Sequence, residues 1–365
     1  MRMSDLSGPL RAPGNHEPND PLVELGWDEG LEAAFAGAAR PGDEPARVSA
    51  AHRGGVTVVS STGQADASLG EDLAETPTSG DWVVLRPVPG HGLVAAAILP
   101  RRTVIVRRDP NSYTVLDQVL AANVDVVAVV HGLDRPLKLT RIERSLVVGW
   151  ESGAVPLVVL AKADLSPMAE FEARAAEGAA PGVEVVLTSA ETGLGIAALH
   201  AAIGPGRTAV FLGPSGAGKS SLVNRLVGQE VQDTGGVRGG DHKGRHVTTT
   251  RELIVLPGGG LVIDSPGLRA LGLWEADEGL ERTFPEIEAL ASACRFRNCS
   301  HGPEPGCAVR EAIERGELPE RRLLSYRKLQ RELEFLSGEK AEHERRIEAR
   351  RFAKQIRHHK HRRTR

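Results

Sequence analysis

Apolar positions along the chain change their spacing twice. Between residues 45 and 112 they come in short runs, RVSAA, VTVVSS, DWVVLRPV, LVAAAILP and TVIVRR, separated by Gly-Gly, Ser-Gly and Pro-Gly-His-Gly. Five short strands broken by turn residues predict a small β-barrel, with the OB-fold as the first candidate. Over 113–280, wholly apolar runs (VDVVAVV, VPLVVL, VEVVLTS, TAVFLG, LVIDSPG) alternate with helical stretches such as RIERSLVVGWESG and MAEFEARAAEG. That alternation predicts an α/β domain, a parallel sheet covered by helices on both faces. Residues 281–338 are helical in pattern and interrupted by a Cys/His cluster. Residues 1–44 read as a disordered or poorly structured leader, most clearly over 1–22, where Pro, Gly, Asn and Asp dominate.

Composition narrows the class. A length of 365 residues implies two or three domains, and 41% hydrophobic with 25% charged residues is ordinary for a globular protein. No run of eighteen apolar residues occurs, and the first twenty residues lack a basic-then-apolar signal pattern. The expectation is therefore a cytoplasmic monomer without a membrane partner. The net charge of -3 is unevenly spread: the tail 339–365 carries, from Arg350 onward, eight Lys/Arg and three His with no acidic residue. An acidic body with a basic tail suggests a polyanionic partner, the alternative being a solubilising end. In the barrel, aromatics are scarce and Trp82 is expected in the core. Any RNA contact there would rest on Arg101, Arg102, Arg107 and Arg108 touching phosphates.

The stretch TAVFLGPSGAGKSSLVNRLVG places G-x-x-x-x-G-K-S between a strand and a helix, the context that a phosphate-binding loop needs. The loop Gly213, Pro214, Ser215, Gly216, Ala217 and Gly218 would turn its backbone N–H groups, which every member but Pro214 has, toward phosphate oxygens at the start of the helix that carries Ser221. Lys219 would reach the β and γ phosphates, and the Ser220 hydroxyl would bind Mg²⁺. Downstream, Asp264-Ser265-Pro266-Gly267 closes an apolar strand and matches D-x-x-G. Its Asp264 would support Mg²⁺ through water, and the Gly267 amide would meet the γ-phosphate. GRHVTTTREL lies between, and Thr248 or Thr249 leads among its three threonines for closing over the metal. The residue after Gly267 is Leu268, which cannot orient water, so intrinsic hydrolysis should be slow. His246 is either a water-positioning group or a solvent-facing loop histidine.

The phosphate loop does not choose the base. That choice falls to VVLAKADL, which resembles the N-K-x-D base loop of GTPases with Ala161 in place of Asn. Asp164 could accept from guanine N1-H and the 2-amino group, a pattern adenine lacks, while the Lys162 stem covers the ring. The following strand ends in Ser189-Ala190, matching the S-A element behind the base. The missing Asn would normally tie the base loop to its neighbours. In linear order the elements are a cyclic rotation of the usual GTPase order, which a site built from strand-end loops tolerates.

Three cysteines are few, and all fall in Cys294-x4-Cys299-x-His301-x5-Cys307. Three thiolates and an imidazole at this spacing suit tetrahedral Zn²⁺ with no open position, a structural site. Arg295 and Arg297 interleave the ligands and could meet RNA phosphates.

Together AKAD, TSA, GPSGAGKSS, GRHVTTT, DSPGL and the cysteine cluster, in that order behind a barrel, resemble the circularly permuted ribosome small-subunit-dependent GTPase A family (RsgA/YjeQ). The likeness runs over residues 45 to 340. It implies a multidomain protein with an N-terminal OB-fold barrel, a circularly permuted GTPase domain and a zinc-binding helical module. It also implies GTP hydrolysis, stimulated by the small (30S) ribosomal subunit and its rRNA during late maturation. In that family a histidine just before the switch threonines is taken as catalytic, and His246 matches it beside Lys219, Thr248 and Thr249. The departures are Ala161 for Asn and an extra residue, Val247. Two other readings stay open: a nucleotide-gated rRNA-binding placeholder with negligible hydrolysis, and an ATP-dependent P-loop kinase.

Overall fold

The computed structural model describes residues 21–107, 118–228, 252–264 and 276–336. His246, Thr248, Thr249, Gly267, Leu268, Arg108 and the basic tail lie outside the described residues.

Two short helices, α1 (Pro21–Glu24) and α2 (Glu29–Ala38), precede the barrel. Asp28 caps α2 by accepting from the Leu31 amide at 3.1 Å. Leu22, Leu25, Trp27 and Leu31 are buried, and the Trp27 ring meets Trp82 edge-on at 4.7 Å between centroids. The second half of the expected leader is thus folded. Four of its apolar side chains share one seam against the barrel, which the turn-rich residues before it do not announce.

The barrel comprises β1 (Glu44–His52), β2 (Gly55–Ser60), β3 (Gly63–Leu69), β4 (Trp82–Val88) and β5 (Gly92–Ile98). Its order β1-β2-β3-β5-β4 closes through β4 on β1, with β3 and β5 parallel and the other pairs antiparallel. Closure leaves no free edge within the barrel. The interior holds Val48, Val56, Val58, Val83, Leu85 and Ala95. One strand differs from the expectation. The third is GQADASL, whose mostly exposed side chains hide its pattern, whereas TVIVRR forms β6 (Val104–Arg107) and pairs outside the barrel with β7 (Gln118–Ala122). Trp82 is buried as expected, though in the seam toward α2 and the following domain.

The α/β domain contains β8 (Val126–Gly132), α3 (Leu139–Glu151), β9 (Val155–Ala161), α4 (Ala169–Glu177), β10 (Val185–Leu187), α5 (Ile196–Ile203), β11 (Thr208–Leu212), α6 (Lys219–Val227), β12 (Glu252–Val255) and β13 (Leu261–Asp264). The strand order is β10-β9-β8-β11-β13-β12, parallel except for β12, which also bridges to β1 through Glu252 and Ala50. Alternate residues face opposite sides. Val127, Val129, Val158, Leu160, Val210 and Leu212 pack with Ile142 and Leu146 of α3 and Ala173 and Ala176 of α4. Val126, Ala128, Val130, Val159, Ala209 and Phe211 pack with Leu199 of α5 and Leu222, Val223 and Leu226 of α6. This two-sided burial explains why the strands read as unbroken apolar runs. The chain steps outward from β8 to β10, then returns on the other side of β8 with β11. The crevice for a ligand therefore opens at the ends of β8 and β11.

Two buried guanidinium groups join the layers. Arg47 of β1 donates to Thr208 Oγ1 at 2.8 Å, to Asn123 O at 3.1 Å, and to the carbonyls of Gly80 and Leu25. It thereby clamps barrel, leader and the first residue of β11. The C-terminal helices α7 (Asp277–Thr283), α8 (Pro285–Ala291), α9 (Ala308–Glu314) and α10, helical over 320–336, form their own core around Phe284, Ile287, Val309, Leu323 and Tyr326. That core reaches α3 through Val147. Arg322 donates to Glu143 of α3 at 2.8 Å, to Glu286 at 2.6 Å, and to the Thr283 and Ala179 carbonyls, while Ser325 Oγ also bonds Glu143. Glu143 is fully buried and Arg322 nearly so. Removing one partner strands a buried charge, so Glu143→Ala should lower unfolding stability by about 3–5 kcal/mol, measured by denaturant titration, whereas Arg144→Ala, which breaks a half-exposed pair, should cost about 1 kcal/mol or less.

Candidate nucleotide and metal sites

Strand-end loops converge at the switch point. After β11, Gly213 takes φ 155° and approaches the Val130 carbonyl so closely that a Cβ would lie 2.4 Å from its oxygen. Only glycine fits this position. Gly216 and Gly218 are left-handed, with φ 76° and 103°, and Gly218 is the N-cap of α6. The turn from Pro214 through Ser215 and Ala217 delivers Ser220 and Ser221 to the first turn of α6. Lys219 Nζ donates to the Gly213 and Pro214 carbonyls at 2.7 and 2.9 Å, spanning the mouth of the loop. Backbone amides at the start of a helix with a lysine across them make an anion site.

After β9, Lys162 sits at φ 60° and a single 3-10 turn, Ala163–Leu165, exposes Asp164. After β10, the Ser189 amide donates to Leu194 O at 3.0 Å, and Ser189 Oγ accepts from the Thr192 amide at 3.1 Å. This turn is held to the base loop because the Ala163 amide donates to Thr188 O at 3.0 Å. Gly195 permits it, since a Cβ there would lie 1.9 Å from Leu187 O. Lys162, Asp164, Ala190, Gly218 and Ser221 share a cleft of 740 Å³, within the range that buries a nucleotide-sized ligand. Asp264 ends β13 two strands away, with the backbone of β11 paired between β13 and β8. Ala161 is buried against Gly218, where a Cβ would sit 3.4 Å from its methyl group.

Several lining residues carried no signal in the reading of motifs. Asn224 and Arg225 line the same cleft. With Ser221 and Gly228 they recur at i, i+3, i+4 and i+7 on α6, opposite the buried Leu222, Val223 and Leu226, so helical periodicity past the motif would have found them. Asp134, in the loop after β8, bonds Lys162 and has no motif to mark it.

The second site is the cysteine cluster. The ligand atoms of Cys294, Cys299, His301 and Cys307 all lie within 4.8 Å of one another. His301 presents Nδ1 to the sulfurs of Cys294 and Cys307 at 3.6 Å each. Burial lowers the His301 pKa, keeping the imidazole neutral as a metal ligand requires, and burial followed by the neighbouring thiols pushes Cys299 up to about 11. A cation among them is what favours three thiolates, so the donor set fits a metal ion. The arginines expected to meet RNA divide. Arg295 and Arg297 are exposed beside the ligands. Arg101 instead forks onto Asp81 at 2.7 and 2.9 Å, and Arg102 onto Asp28, so neither serves as a free phosphate contact. Short acidic partners in the barrel and in α2 claim them.

The RsgA GTPase family model matches residues 98–274. The chain is 47% identical over 330 residues to the small ribosomal subunit biogenesis GTPase RsgA of Streptomyces coelicolor, covering 88% of this chain and 89% of that protein. The chain belongs to the RsgA GTPase family. Its fold is similar to that of YjeQ from Thermotoga maritima (TM-score 0.61, 29% identity, 80% of this chain and 98% of that one). It is also similar to YloQ, described as a circularly permuted GTPase (TM-score 0.59, 25% identity, 81% and 97%). The cyclic rotation read from motif order is thus the arrangement of known RsgA relatives. The chain is a GTP hydrolase of this family, and the reading as a placeholder without hydrolysis is not favoured.

The cluster predicts one metal ion per chain, measured by elemental analysis of protein purified without added metal. Cys307→Ser should lose it and lower the unfolding stability of the helical module, because Cys307 is buried in that core.

Proposed function

We propose that the chain works as a GTP-driven switch in small ribosomal subunit biogenesis, hydrolysing GTP in the cleft between the β9 and β11 loops. The observation that carries this reading is the shared cleft itself. A phosphate loop and a base loop, reversed in chain order, meet at one cleft from the ends of β11 and β9, the two strands that flank β8. Gly213 to Gly218 with Ser220 and Ser221 hold the phosphates, and Lys219 answers their charge. Asp164 selects guanine, the Lys162 stem covers the ring, and Ser189 and Ala190 back it.

Ser220 at the start of α6, Asp264 at the end of β13 (through water) and Thr248 or Thr249 would hold Mg²⁺, and the Gly267 amide would meet the γ-phosphate. When bound, that cation compensates phosphate charge. His246 places the attacking water when the ribosomal partner is bound, so stimulation comes from positioning. Cys294, Cys299, His301 and Cys307 hold one structural Zn²⁺, the assignment that three sulfurs and one imidazole favour.

The partners are the small subunit and its rRNA, with Arg295, Arg297 and the basic tail meeting phosphates. The protein acts as a cytoplasmic monomer. Among the described residues no helix is long and apolar enough to cross a membrane.

Single-turnover GTP hydrolysis with and without small subunits tests the reading. His246→Ala should cut the stimulated rate by about 10²-fold and leave GTP affinity unchanged. Absence of stimulation, or stimulation that survives His246→Ala, would defeat it. In competition binding, Asp164→Asn should weaken GTP and narrow its advantage over ATP; an unchanged preference would remove Asp164 as the base reader.

A further inference from the structure

Ala161 leaves a specific deficit in the GTP site described above: no side-chain amide ties the base loop to the phosphate loop. A tie is nevertheless present. Lys162, turned by its left-handed backbone, donates from Nζ to the Gly216 carbonyl at 2.7 Å and to Asp134 Oδ2 at 2.9 Å. Asp134 belongs to the loop after β8, the third strand end at the crevice. Its carboxylate is closely seated, since a Cβ on Gly132 would lie 2.6 Å from Asp134 Oδ1 and 3.1 Å from the Ala217 carbonyl oxygen. Arg135 holds the same carboxylate at 3.2 Å and lies against Gly216, where a Cβ would be 3.5 Å from its guanidinium. Carboxylate, ammonium and loop carbonyl form a bracket across three strand ends.

We propose that Asp134 is a positioning residue for guanine-nucleotide binding, supplying through Lys162 the inter-loop tie that an Asn at position 161 would make. The reading rests on the GTP site proposed above. A lysine stem covers a base well only when its terminal group is fixed, and the ammonium has several rotamers to choose from. Gly216 offers one neutral acceptor, and Asp134 adds an anion on the other side, so the stem is held extended over the cleft. Both side chains keep about a quarter to a third of their surface exposed, 26% and 31%, which limits the effect to a modest one.

The test is a titration of the full-length protein with GDP carrying a fluorescent label on its ribose. The variants are Asp134→Ala, Ala161→Asn and the pair combined. Asp134→Ala should weaken binding about fivefold. Ala161→Asn should recover most of that loss in the Asp134→Ala background and add little to the wild type, a non-additivity expected of two groups that make one tie. Unchanged affinity in Asp134→Ala, or an equal gain from the asparagine in both backgrounds, would overturn the proposal.

Because position 161 is buried, Asp134→Glu and Asp134→Asn provide a second arm should the asparagine variants fail to fold. The longer carboxylate should stay within twofold of wild type and the amide should not; equal affinities would overturn the proposal. A wild-type protein that does not bind the labelled GDP at all would instead remove the GTP reading itself, and this proposal with it.

Discussion

The pairing of β11 with β8 is the contact on which the nucleotide site depends. Ala209 to Leu212 run in parallel register with Val126 to Val129, and the two strands are buried on both faces. Their ends bring Gly213 against the Val130 carbonyl and Ala217 against Gly132. A Cβ on Gly213 cannot be accommodated and one on Gly132 would crowd the Ala217 carbonyl, so the phosphate loop takes its path from the backbone of β8. Every other part of the site is placed relative to that pair: the base loop through β9 beside β8, and Asp264 through β13 beside β11. Chain order does not enter this geometry, which is why rotation of the sequence leaves the cleft intact.

The same pair is held at its other end. Arg47 reaches from the barrel to Thr208, the first residue of β11, and to Asn123, shortly before β8. Asp125 completes the joint by accepting from the Thr208 amide at 2.8 Å. A buried guanidinium satisfied by carbonyls and a hydroxyl is costly to leave unpaired, so barrel and sheet are held in one arrangement. On the opposite flank Arg322 and Glu143 lock the C-terminal helical module to α3, next to α7, where Gly279 approaches the Val147 carbonyl closely enough to exclude a Cβ. Barrel and module are therefore both fastened to the domain that carries the nucleotide cleft. The fastenings are directional polar contacts embedded in apolar packing, which resist sliding better than apolar contact alone.

Much of this was legible in the sequence because its physics is local. The phosphate loop, the AKAD turn, the SA turn and the Cys/His cluster are each confined to a short stretch whose backbone demands are written in glycines, prolines and polar side chains. The unbroken valine runs announced a two-sided sheet for the same reason. What escaped was relational. GQADASL turns only Ala65, Ala67 and Leu69 to the barrel core, an alternation too short and too small in side-chain volume to stand out beside the valine runs, so the closure of the barrel is what shows it as a strand. Leu22, Leu25, Trp27 and Leu31 are spread over two short helices and the turn between them, so their common face shows only once these have folded together. Arg101 and Arg102 look like free cations until Asp81 and Asp28 arrive from elsewhere in the chain.

The base loop shows the difference in a single residue. Read along the chain, Ala161 is a defect in a motif. In space it is a buried methyl group against Gly218, and the bond it cannot make is replaced by one between Lys162, Gly216 and Asp134. The replacement comes from a different strand end, because the crevice brings several such loops within reach of one another and any of them can contribute the missing partner. A motif departure in a site of this architecture is therefore a statement about neighbours. Its cost is set by whether an adjoining loop offers a group of the right charge at the right height, and the loop after β8 does.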